Sequence, residues 1–142
     1  MKRITYISSY ANAMDASQLE QLGELAAKKN ESLGVTGVLM ASGGLFYQVI
    51  EGPEDHVDEL YDTIKRDGRH TNLLLLSSED DVAERLFPEW SMELINLDAS
   101  SHVRLYPLKA LIKSVFDQQK LMENMIWAIE RTIQHEMKSI ES

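Results

Sequence analysis

Apolar and polar positions alternate from the second residue of the chain, and the period of that alternation then changes several times. Residues 2–8 carry β-branched and aromatic side chains with Ile4, Tyr6 and Ser8 on one face, which predicts a strand. Leu19, Leu22, Ala26 and Asn30 then fall on one helical stripe, opened by Ser17 and Glu20 as a capping box and ended by Gly34. Residues 35–41 and 45–51 read as two short strands around Ser42-Gly43-Gly44, a hairpin signal. Pro53 at a first helical position, with Glu54 and Asp55 in the first turn, opens a second helix whose buried stripe is Val57, Leu60, Tyr61 and Ile64. The polar turn Arg66-Asp67-Gly68-Arg69-His70 closes it. Residues 73–76 form a continuous apolar run, the pattern of a strand covered on both faces. Residues 90–97 alternate once more, with Trp90, Met92 and Leu94 on one side and Ser91, Glu93 and Ile95 on the other.

The resulting order, β-α-β-β-α-β-β, predicts an α+β fold: a ferredoxin-like mixed sheet with both helices on one face. In that topology the first and third strands are neighbours. Ile4 and Tyr6 then align with Phe46, Gln48 and Ile50, beside Trp90, Met92 and Leu94, all facing the helices. The other face carries Ile7, Tyr47, Val49 and Ile95 and needs its own cover. A C-terminal helix pair supplies it: Leu108, Leu111, Ile112, Val115 and Phe116 mark one amphipathic helix, and Met122, Met125, Ile126, Ile129, Ile133, Met137 and Ile140 a second. The chain therefore divides into a core, residues 1–98, and a helical cap segment, residues 99–142.

Composition narrows the function classes. A chain of 142 residues has room for one domain, so an effector it controls belongs to another chain or to a further domain. With no Cys, disulfides, thiol catalysis and Cys-based metal sites are excluded, which suits a cytoplasmic location. No membrane span and no signal peptide are expected, since Met1 leads directly into the first strand. The net charge of −9 repels a polyanion, so nucleic acid is not an expected partner. That charge is uneven: residues 1–104 hold 9 Lys+Arg against 18 Asp+Glu, and residues 105–142 hold 5 against 5.

His56, His70, His102 and His135 lack ligand spacing and read as surface or turn residues, so no metal site is expected. Tyr6 and Gln48 are more informative, because they put polar tips in the middle of otherwise apolar strand faces. A buried hydroxyl or amide must find a partner. These two bond each other or a water, or they line a ligand site. Gln carries a donor and an acceptor on one tip, so a rotated amide changes its hydrogen bonds in place. Tyr can release both a proton and an electron, and a redox-active aromatic ligand accounts for both residues. Asn30 is either a helix-end residue or a paired contact for an imide-like edge, with Ala26 leaving room for a flat ring. Trp90 and Met92 read as core residues or as part of the same site.

Tyr6 in ITYIS, Asn30 in KKNESLGVTGVL, Gln48 in GGLFYQVIEG, the turn RDGRHTN, and Trp90 with Met92 in FPEWSMELINL resemble the BLUF family, blue-light sensors that use FAD. The resemblance covers about residues 2–97 in order and spacing. FPEWSMELINLD and PLKALIKSV look most like the sensor domains of light-activated adenylate cyclases. The resemblance implies non-covalent FAD, with Tyr6 as electron and proton donor and Gln48 as the amide that reorganises. It further implies that Asn30 holds the flavin's polar edge and that Met92 and Trp90 relay the change outward. Lys29, Asp67, Arg69 and His70 match positions near the polar part of the cofactor. Ala26 stands where many relatives have Ser, which implies that a polar contact near flavin N5 is missing. A sensor of this kind catalyses no turnover itself. The expected partners are FAD, an effector protein or domain, and a second copy bound through residues 121–140. The alternative is a hydrolase or metabolite-binding module on the same fold, using Arg69 and Asn30.

Overall fold

A computed structural model describes residues 1–141; the side chains of residues 100–102 and 141, and hence the expected surface role of His102, lie outside the described residues. Five strands form one mixed sheet: β1 (Lys2–Tyr10), β2 (Thr36–Ser42), β3 (Leu45–Gly52), β4 (His70–Glu79) and β5 (Glu93–Asn96). Helix α1 (Ala16–Leu33) joins β1 to β2, α2 (Glu54–Arg66) joins β3 to β4, and a 3₁₀ turn (Ser100–Leu105) leads into α3 (Pro107–Glu141). The sheet order is β4-β1-β3-β2-β5, antiparallel except for the β2/β5 pair. The first and third strands are neighbours, and their register sets Tyr6 directly opposite Gln48. This is the expected α+β architecture.

Strand alternation divides the interior in two. Ile4, Leu39, Phe46 and Ile50 pack with Leu19, Leu22, Val57 and Leu60 of α1 and α2. On the other face Ile7, Val38, Met40 and Val49 pack with Leu97 and with Ile112 of α3. Gly23 brings α1 down onto β5, since a Cβ there would sit 2.9 Å from the Leu94 side chain. Gly34 ends α1 in the left-handed region at φ 66°, where a side chain is strained.

Four expectations need correction. The cap of α1 is Asp15, whose carboxylate accepts from Gln18 N while Gln18 reciprocates, so the capping box starts two residues before Ser17. Residues 73–76 do not form a strand covered on both faces: β4 is the edge strand beside β1, with Leu74 buried on one face and Leu75 exposed on the other. The last strand begins at Glu93, so Trp90 and Met92 do not share a strand face. Met92 is buried, whereas Trp90 turns out to stack on Phe87 with ring centroids 5.6 Å apart. The tail is one continuous helix instead of a pair, because Asp117-Gln118-Gln119-Lys120 between the two apolar stripes contains neither Pro nor Gly. Only its first turns, through Leu108, Ile112 and Phe116, cover the sheet.

Candidate functional site

The sheet face beneath α1 and α2 carries the two polar strand residues side by side. The Tyr6 hydroxyl donates to Gln48 Oε1, and Gln48 Nε2 points at Met92 Sδ, 3.4 Å away. All three residues are buried. Next to this row a cleft of about 150 Å³ opens between α1, α2 and the sheet. Its walls are Leu22, Leu25 and Ala26 of α1, Leu39 of β2, and Leu60, Thr63 and Ile64 of α2. Gln48 and Asn30 put amides into it, and Lys29, Asp67, Arg69 and His70 lie at its polar end. It adjoins a second, outer cleft of about 300 Å³ that shares Leu22, Leu25 and Arg69.

Of the residues expected at a site, Lys29, Asn30, Gln48, Asp67, Arg69 and His70 are brought together around one cleft, with Tyr6 and Met92 bonded to Gln48 behind it. Trp90 is not brought in. Thr63, Ile64, Leu39 and Leu60 were not expected there. Their signal was the Leu60, Ile64, Asp67 spacing, which reads as a buried helix stripe until the opposing α1 stripe is known to stand off from it.

Asn30 is 1% exposed and lines the cleft, with its Nδ2 donating to Ser91 O at 2.9 Å. At the polar end Asp67 grips Arg69 through Nε and Nη2, the latter at 2.7 Å, and that bond holds the carboxyl below its usual range despite partial burial. Lys29 forms no ion pair among the described residues.

Burial, aided by Tyr61 and Asp67, drives the Tyr6 phenol far above its ordinary pKa, so it remains protonated at any physiological pH. His70 sits behind it, with its ring edge on Tyr6 at 6.0 Å and Nδ1 2.9 Å from Ser8 Oγ. Desolvation lowers its pKa below 6.5; Asp67 opposes the shift and Arg69 adds to it. The unfolded chain therefore takes up the His70 proton first as pH falls. Stability should decline from about pH 6.5 downward and level off below the folded-state value. Thermal melts from pH 7.5 to 5 should show that decline, and His70→Gln should flatten it.

A family described as sensors of blue light using FAD matches residues 1–93, well over half of the chain. The chain belongs to the BLUF family. Its BLUF region is 36% identical over 90 residues to the photoactivated adenylate cyclase subunit beta of Euglena longa, covering 63% of this chain and 10% of that protein. It is 31% identical over 115 residues to the blue light- and temperature-regulated antirepressor BluF of Escherichia coli strain K12, covering 81% of this chain and 27% of that protein. Among solved structures, a bacterial light-regulated adenylyl cyclase superposes with a TM-score of 0.79 at 36% identity, over 87% of this chain and 36% of that one. The BLUF protein BlrB in its dark state gives 0.66 at 28% identity, over 82% and 96%. This BLUF chain thus spans between a tenth and about a quarter of those two curated relatives, and its relatives are light-regulated signalling proteins. No helix among the described residues is long and apolar enough to cross a membrane.

Proposed function

We propose that this chain holds FAD non-covalently in the cleft between α1, α2 and the sheet, senses blue light through Tyr6 and Gln48, and passes the change through Met92 to α3 and an effector. The observation that carries this reading is the row Tyr6–Gln48–Met92 set against a cleft that also presents Asn30. The residues suit FAD. Leu22, Ala26, Leu39 and Ile64 would face the flat ring, Asn30 and Gln48 its edge of alternating carbonyl and N–H, and Lys29 and Arg69 the anionic tail. Ala26 offers the ring an apolar contact only. FAD bound there supplies, on absorbing blue light, an oxidant strong enough to draw an electron and a proton from a phenol.

The remaining chemistry belongs to this chain. Tyr6 would be the donor: its proton would leave along the hydrogen bond to Gln48 Oε1 together with an electron, and both would return to Tyr6, so that the hydrogen-bond pattern and not the redox state is what changes. Gln48 then reorganises. With the amide turned over, Nε2 faces the Tyr6 oxygen, which can accept, and Oε1 faces Met92 Sδ, which cannot donate. The Met92 contact is lost, and Met92 is the entry to β5. β5 leads to Asp98, whose carboxylate accepts from Gly43 N at 3.0 Å and pairs with Lys109 of α3 at 3.5 Å. Residues 1–98 thereby act as sensor and 99–142 as output segment. Turnover belongs to an effector, in a cytoplasmic setting, and two copies associate through α3. A hydrolase using Arg69 is disfavoured, because Asp67 already occupies that guanidinium.

Absorption of purified, FAD-supplemented protein before and after blue light tests the reading. A small red shift of the flavin band that reverses in the dark is expected. Failure to take up FAD, or permanent bleaching, would overturn it. Asn30→Ala should lower FAD occupancy, read as the flavin-to-protein absorbance ratio.

A further inference from the structure

The segment between β4 and β5 changes sides of the sheet within a few residues. Phe87 packs with the core on the α3 face, and Met92 packs with the core beneath α1 and α2. The same strand, β3, holds it at both ends. On one face Glu51 lies fully buried, accepting from Phe87 N at 2.7 Å, Leu86 N at 3.1 Å and Arg3 Nε at 2.9 Å. On the other face, three residues earlier, Gln48 reaches Met92 Sδ. Between these grips Gly37 N donates to Trp90 O at 2.8 Å and Asn30 to Ser91 O at 2.9 Å, so little slack remains.

We propose that Glu51 is a positioning residue for the Gln48–Met92 contact: its carboxylate clamps the Leu86–Phe87 backbone and so sets where Met92 stands over the switching amide. A taut segment favours the arrangement in which Gln48 presents Nε2 to Met92, and therefore speeds the return to it. This rests on the light-sensing reading above only for the last of three measurements.

Two substitutions break the clamp from opposite sides. Glu51→Gln removes the charge and one acceptor; Leu86→Pro deletes a donor amide while leaving Glu51 and Arg3 in place, and decides the matter if the first variant does not fold. In the unloaded protein, amide exchange over Glu93–Asn96 should accelerate about tenfold, since local opening follows the loss of a holding contact. Acrylamide quenching of Trp90, read in a Trp127→Phe background, should rise about twofold as the segment opens to solvent. With FAD bound, dark recovery should slow about threefold as the restoring bias is lost. A lowered melting temperature with wild-type exchange over Glu93–Asn96 and wild-type quenching would reduce Glu51 to a structural brace and overturn the proposal. If wild-type protein binds FAD without any light-induced shift, the sensing reading fails, while exchange and quenching still decide on the clamp.

Discussion

Tyr6→Phe should leave a folded, FAD-loaded protein whose absorption no longer shifts under blue light. Tyr6 has no exposed surface, its hydroxyl donates to Gln48, and burial keeps that hydroxyl protonated. Removing the oxygen deletes the proton to be given up and the hydrogen bond along which it leaves. The ring keeps its contacts with Tyr61 and His70, at 5.9 and 6.0 Å between centroids, so packing survives. The stability cost should be about 1–2 kcal/mol, mainly from leaving Gln48 Oε1 without its donor. Gln48→Leu attacks the same bond from the other end, preserving bulk while removing the reversible amide, and should equally abolish the shift. Difference spectra of both variants, recorded with melting curves and flavin occupancy, check this. A normal shift in either would sink the mechanism, because no other described side chain bonds both Tyr6 and Met92.

The parts of this site legible in the sequence are those fixed by strand parity and helical spacing. Tyr6 and Gln48 fall on helix-facing positions of neighbouring strands, so their contact follows from the topology alone. Asn30 follows from the α1 stripe. Trp90 was misplaced for a physical reason. Residues 90–92 alternate like a strand, yet the backbone there is spent on Gly37 and Asn30, and only at Glu93 does pairing with β2 begin. The exposed face of β4 was hidden likewise, since Leu73 to Leu76 read as buried unless the strand is known to be an edge. Glu51 could not be read at all. A lone Glu in an apolar strand gives no hint that two amides from a segment 35 residues away will satisfy it.

The full chain should be a dimer by light scattering at tens of micromolar, and removal of residues 121–142 should make it a monomer. The helix α3 runs for 35 residues, about 50 Å at ~1.5 Å per residue, and leaves the sheet after Phe116. Beyond that point Met122, Ile126, Ile129, Ile133 and Ile140 recur at steps of four, three, four and seven, the spacing of a coiled-coil seam. All five are exposed, Ile140 at 75%, with Met125, Trp127 and Met137 widening the stripe. Burying such a side chain is worth about 1.5–3 kcal/mol. About half or more of each side chain is still exposed, so the five from each of two copies offer an apolar driving force of the same order as the ~4–15 kcal/mol cost of association. Charge permits the approach as well, because the 5 Lys+Arg and 5 Asp+Glu of residues 105–142 cancel while the body is strongly acidic. Ile126→Asp with Ile133→Asp puts two carboxylates into the seam of each copy without shortening the chain, and should give the same monomer while leaving the light-induced shift intact. A monomeric full chain, or a dimer that survives both changes, would defeat the proposal. If the dimer forms as proposed, a displacement that starts at Met92 and reaches α3 through Asp98 and Lys109 would alter how two seams meet, which is a signal an effector joined to either helix would read.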